Sequence, residues 1–341
     1  MFSLIFAFSP FDIPPAPYSP PVIKGIYLSP GVIHSGYRLK EFYRMVDLGL
    51  LNAAILDIKD VNGRVMFSLY KDFVREAKKK GIYLIARQCV FKDKYFAFKD
   101  SGRFALKDTK GHIWFEGRSG YWVDPSLKEV KDYNLRIIDK AYKMGFDEIQ
   151  FDYIRYPSGD KPYKNDKNKL ANILNFLDMA IEKKSKGKKM SLTLYGYTLW
   201  GYVLKKEGQN LERMATKVDA IYPMLYPSHF KDDFMADSTK EWRTYSIVYK
   251  SIKEARNRLS NKDICIIPYL QAFDWKQTRL GKAYVKNQLK AAYDAETDGF
   301  ILWEAKGDYK RGFQELFDFD IERSIEKLRM LPPEEDDRKR D

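Results

Sequence analysis

At 341 residues, 45% of them hydrophobic, the chain is long enough for one large α/β domain with extensions or for two ordinary domains, and it can bury a sizeable core. Two cysteines and three histidines leave no disulfide framework and no Cys/His zinc spacing. A net charge of +13 favours acidic partners, but the densest lysine clusters, at 78–80 and 183–189, fall at the ends of predicted helices and lack the interleaved aromatic residues of a nucleic-acid module. No specific nucleic-acid contact, no metal and no organic cofactor is expected.

The chain opens on an apolar run, residues 2–8, too short to span a membrane. Pro10, Pro14, Pro15, Pro17, Pro20 and Pro21 follow, so residues 1–22 read as an apolar terminus with a stiff, extended linker. That arrangement predicts an exported or cell-envelope-associated domain, with a cytoplasmic one as the alternative, and no transmembrane span.

From Lys24 onward, strand-like and helix-like segments alternate. Strands are predicted at 25–28, 53–60, 83–90, within 145–157, and at 190–197, 220–226, 264–270 and 299–304. Helices are predicted at 39–48, 70–80, 127–144, 170–184, 211–217, 240–259, 283–295 and 321–331, with Gly81 and Gly145 as stops. The long loop at 91–125 carries Trp114, Tyr121 and Trp122, and its aromatic content predicts an ordered lid. Eight strands, each followed by a helix, predict a (β/α)8 TIM barrel over residues 23–331, ahead of a charged disordered tail at 332–341. A doubly wound open sheet is disfavoured because no Gly-rich phosphate turn follows the first strand. Cys89 and Cys265 fall on strands far apart in this order, so no disulfide joins them.

In such a barrel, catalytic side chains project from the C-terminal ends of the strands. The fourth strand ends in Asp152 and Arg155 just before Pro157, and buried charge of that kind has to be paired or used. Alternation sets Gln150, Asp152 and Ile154 on one face and Ile149, Phe151 and Tyr153 on the other. By the same rule Asp57 and Lys59 share a face. Other strand-end carboxylates are Asp60, Asp274 and Glu304. Glycoside hydrolysis needs two carboxyl groups, one as acid and one as nucleophile or base. Asp152, Glu304, Asp57 and Asp60 are therefore the candidate catalytic residues. Asp152 can instead be no more than the salt-bridge partner of Arg87 or Arg155. The candidate substrate-binding residues are Arg87, Gln88, Arg155, His229 and Gln271, with Tyr195, Tyr197, Tyr222, Tyr226 and Trp303 as platforms for sugar rings.

These segments resemble a bacterial domain family of unknown function that is assigned to the glycoside hydrolases by its similarity to barrel glycosidases. The matching stretches are residues 24–28, 52–60 with 63–65, 90–93, 122–125, 145–157, 222–229 and 302–303, which together span nearly all of the folded part. The resemblance implies a TIM barrel and the hydrolysis of glycosidic bonds. Two positions depart from the family pattern: Thr193 stands where the fifth strand usually carries Asp, and Glu304 where the eighth usually carries Asn after the Trp. The fourth strand is also similar to that of family 18 chitinases, with Gln150 in place of the middle Asp and Ile154 in place of the catalytic Glu. Asp152 then needs an acid partner from another strand. The expected activity is cleavage of a poly- or oligosaccharide, acidic polysaccharides included. The alternative is a non-catalytic carbohydrate-binding barrel of the cell envelope.

Overall fold

The strand-like segments predicted from the sequence become parallel strands, and they close on themselves. The computed structural model describes residues 22–330, apart from 116, 118–119, 159–162, 164–165, 203, 237–238, 261–262 and 277–279. The expected apolar terminus and linker (but for Val22) and the expected charged tail lie outside the described residues. In chain order the strands are β1 (Ile23–Tyr27), β2 (Ala53–Lys59), β3 (Tyr83–Cys89), β4 (Glu148–Asp152), β5 (Lys189–Tyr195), β6 (Ala220–Met224), β7 (Cys265–Ile266), β8 (Tyr269–Gln271) and β9 (Gly299–Trp303). Strands β1 to β6 pair in sequence, and β9 returns to pair with β1. The predicted seventh strand is present in two halves, β7 and β8, both paired with β6. Between them sits Pro268, which has no N–H to give to the ladder. The result is a (β/α)8 barrel.

The helices are α1 (Pro30–Ile33), α2 (Gly36–Asp47), α3 (Phe67–Lys79), α4 (Lys94–Ala97), α5 (Lys128–Met144), α6 (Lys169–Ile181), α7 (Leu211–Ala215), α8 (Lys240–Arg258), α9 (Tyr284–Asp294) and α10 (Lys310–Met330). Helix α10 starts eleven residues before the predicted 321. Phe313, Leu316 and Phe319, spaced three apart, are buried on one of its faces, and the charged residues between them mask that spacing in the sequence. Gly145 ends α5 in a left-handed conformation (φ 111°), as expected from the sequence.

Alternation along the strands sorts the core into two layers. Ile55, Ile85, Tyr222, Tyr269 and Ile301 fill the barrel interior, whereas Leu56, Leu84, Phe151 and Leu302 pack under the helices. Closure between the last strand and the first depends on Gly299. Its φ is 143°, and a Cβ there would stand 1.9 Å from the carbonyl oxygen of Ile23.

Two local irregularities overturn expected faces. The β2–β3 register slips between Asp57 and Lys59, a bulge that adds Ile58 to β2. Asp57 therefore points into the barrel while Lys59 turns outward; the two do not share a face. Lys59 is fully buried there, paired with Asp93 at 2.8 Å and donating to Asn134 Oδ1 and to the carbonyl of Val90. At the end of β4, Tyr153 is left-handed (φ 48°), which a non-glycine residue adopts at a cost. The parity reverses after Asp152, so Ile154 packs into the outer layer and Tyr153 swings to the mouth.

Both cysteines are free, as expected. Among the described residues, no helix is long and apolar enough to cross a membrane.

Candidate active site

Three ionised side chains meet where β2, β3 and β4 approach the mouth. Asp57 and Arg87 are register partners, and Arg87 points into the barrel between Asp57 and Asp152. Its Nη1 donates to Asp57 Oδ1 at 2.5 Å, while Nε and Nη2 both reach Asp152 Oδ2, at 2.7 and 2.5 Å. Tyr27 donates its hydroxyl to Asp57 Oδ2 at 2.8 Å. On Asp152, Oδ1 accepts from the Thr193 hydroxyl and from the Tyr153 N–H, both at 2.6 Å. One guanidinium thus bridges the two carboxylates.

Burial by itself would push the Asp152 carboxyl up. The Arg87 charge and the hydrogen bonds from Thr193, Tyr153 and Arg87 outweigh it and hold the group below its usual range. Trp303 completes this floor: its ring lies 5.1 Å from the Arg87 guanidinium and stacks on Tyr27 at 4.2 Å.

Above the floor opens a cavity of about 520 Å³. It brings together eight of the residues expected from the sequence. Asp152, Arg87 and Trp303 form its base. Arg155, Tyr195, Tyr197, Tyr226 and His229 line its walls. Arg155 does not pair with Asp152. Its guanidinium lies against the rings of Trp122, Tyr195 and Tyr153, and its Nη1 donates to the carbonyl of Tyr156 and to Ser158 Oγ.

Six expected residues are placed elsewhere. Asp57 reaches the cavity only through Arg87. Asp60 is occupied in the turn after β2, accepting from the N–H groups of Asn62 and Arg64 and from Arg64 Nε. Gln88 has the outward parity and donates to Asn134. Tyr222 is fully buried deeper in the barrel, against Tyr269. Gln271 ties two loops together, accepting from the N–H of Ser228 and donating to the carbonyls of Phe273 and Trp275. Glu304 has the opposite parity from Trp303, and its Oε2 accepts from the Asp308 N–H, so it braces the turn before α10 instead of facing the cavity. The 91–125 loop is ordered by its own short bridges. Its described residues do not line the cavity but buttress it, with Trp122 packed on Tyr153 and Arg155.

Residues missed in the sequence also line the cavity, among them Tyr153, Phe230 and Glu207. Glu207 sits in the turn between the bridged residues Leu204 and Gln209, and its carbonyl accepts from the Tyr156 N–H at 2.8 Å. A single carboxylate in an aperiodic loop carries no sequence signal.

The profile of the family described as "Putative glycosyl hydrolase domain" matches residues 25–309. The chain belongs to that family. The solved structures similar to this glycosyl hydrolase domain include three barrel enzymes. A β-galactosidase from the psychrophilic Marinomonas ef1 superposes with a TM-score of 0.63 at 8% identity, over 91% of this chain and 61% of that one. The catalytic domain of β-amylase from Paenibacillus polymyxa gives 0.59 at 9% identity, over 89% and 99%. The spore cortex-lytic enzyme SleL of Bacillus cereus gives 0.55 at 12% identity, over 87% and 74%. At these identities the likeness is one of fold. No curated protein matches the sequence significantly. Within the glycosyl hydrolase domain, Thr193 replaces the Asp expected on the fifth strand by a hydroxyl that donates to Asp152, where a second carboxylate would repel it.

Proposed function

We propose that this domain cleaves glycosidic bonds of a poly- or oligosaccharide by a two-carboxylate mechanism in the cavity above Arg87. The observation that carries the reading is that Asp152 and Glu207 line one cavity walled by Tyr195, Tyr197, Tyr226 and Trp303. The two carboxyl groups suit opposite tasks. Asp152, kept ionised by Arg87, serves as the nucleophile or as the base that activates water. It is a poor proton donor for the same reason. Glu207 has no cationic partner among the described residues and serves as the acid that protonates the departing glycosidic oxygen. Asp57 and Tyr27 hold Arg87 in place from below.

The test is a glycan panel scored for new reducing ends, with wild type, Asp152→Asn and Glu207→Gln side by side. Each substitution is expected to lower kcat by about 10²–10⁴-fold. Undiminished turnover in Asp152→Asn would remove that residue from the chemistry.

One observation favours a second reading, a carbohydrate-binding barrel without turnover. Both oxygens of Asp152 already accept hydrogen bonds from within the protein. Glycan binding without any new reducing ends would support it.

A further inference from the structure

Arg155 is a cation without an acid among the described residues. Its guanidinium lies 4.8, 5.2 and 5.0 Å from the rings of Trp122, Tyr153 and Tyr195, and among the described residues its hydrogen bonds run from Nη1 alone, at 2.8 Å to the Tyr156 carbonyl and 3.4 Å to Ser158 Oγ. No carboxylate pairs with it among the described residues, although it lines the same cavity as Asp152 and Glu207. A guanidinium offers five donors in a planar fork that matches a carboxylate, and aromatic faces on several sides preorganise the plane. Holding a charge this way, with the neighbouring Asp152 claimed by Arg87, leaves Nε and Nη2 for an anion brought from outside.

A second groove, of about 610 Å³, adjoins the cavity, and Leu204 forms the wall common to both. Lys167, Lys169, Lys205 and Lys206 line it, with no acidic residue among the described lining residues. Lys169 is turned onto the Tyr163 ring at 4.6 Å, while Lys167 and Lys205 are exposed. A lone lysine groove would be a solvated face. One that continues a cavity whose wall carries an unpaired arginine extends the same charge preference over several sugar units.

We infer that the substrate is an anionic glycan with carboxylate-bearing sugars, one carboxylate held by Arg155 in the cavity and the chain leaving past Leu204 along the lysine groove. This rests on the cavity being the site of glycoside hydrolysis.

The test compares a uronic-acid polymer with the same polymer after its carboxyl groups have been reduced to alcohols, alongside a sulfated neutral glycan and a duplex DNA. Binding to the full chain is measured at low and at physiological salt, and reducing ends are scored in parallel. The uronic-acid polymer is expected to bind about 10- to 100-fold more tightly than its reduced form, as a charged hydrogen-bond pair allows, with the advantage shrinking as salt rises. Arg155→Gln should abolish the preference. Lys167→Gln with Lys205→Gln, a surface pair whose loss does not threaten folding, should weaken long oligomers but not short ones. Equal binding of the two polymers overturns the inference, and if both are cleaved the hydrolase reading survives it. Preference for the sulfated glycan, or DNA binding as tightly as the uronic-acid polymer, also overturns it. No binding of any glycan overturns both.

Discussion

Arg87 donates from Nε to Asp152 Oδ2, keeps Nη2 in ion-pair contact with the same oxygen and gives Nη1 to Asp57, so one buried cation holds two carboxylates from neighbouring parts of the sheet. The site's electrostatics and its rigidity depend on this triad. Removing the cation leaves two buried negative charges facing each other.

Arg87→Met is therefore expected to cost about 3–5 kcal/mol at neutral pH, as when one partner of a buried ion pair is lost. The cost depends on pH. The wild-type Asp152 pKa is depressed, so its stabilisation is present above the unfolded value, about 3.9, and is lost as pH falls through the lower folded value. The gap between wild type and variant in urea unfolding should narrow on going from pH 7 to pH 3. An equal gap at both values would count against the triad as the source.

Glu148 gives the opposite sign. It is buried at the start of β4, where Tyr83 and Ser191 donate to it, and burial pushes its pKa up to about 7 against those hydrogen bonds. A carboxyl raised in this way is fully compatible with folding below its unfolded value, about 4.3, and becomes a growing liability as pH rises towards 7. Glu148→Gln should thus be nearly neutral at pH 4 and stabilising at pH 8, by an amount on the order of a few kcal/mol. Melting temperatures at the two pH values decide it; a variant destabilised equally at both would refute the assignment.

The Lys59–Asp93 pair is wholly buried on the outer side of the barrel, between the bulge in β2 and the N-cap of α4, where Asp93 also accepts from the Phe96 N–H. Lys59→Met or Asp93→Asn alone is expected to cost about 3–5 kcal/mol, because each strands the other charge. The double variant should cost less than the sum of the two. Strict additivity in chemical denaturation would mean that the ions do not depend on each other.

Glu304 braces a turn, with Oε2 on the Asp308 N–H. Glu304→Gln keeps an acceptor oxygen in that place and is expected to cost about 1 kcal/mol or less, with turnover unchanged. A collapse of kcat with an unaltered melting temperature would return Glu304 to the chemistry.

Much of the barrel was legible because strands buried on both faces write themselves as apolar runs between helical periods. The orientation of Asp152 followed as well, since parity along β4 holds up to that residue. Parity failed one residue later at Tyr153 and, on β2, at Ile58, because a left-handed residue and a bulge each reverse the alternation without a marker in residue type. Gln88 and Glu304 were misplaced for a related reason: a polar residue at a strand end looks the same whether it faces the mouth or the surrounding helices and turns.

By itself, then, the sequence determined the number and order of the barrel strands, the burial of charge at the end of the fourth, and the family resemblance. Those are properties of local periodicity and of contiguous motifs. Tertiary structure alone decided that Arg87 and not Arg155 holds Asp152, that Glu207 joins the cavity, and that Arg155 meets no acid among the described residues. Each of these depends on which side chains from distant strands and loops come within a few ångströms, and pairing energies between buried charges are set at that distance and not by spacing along the chain.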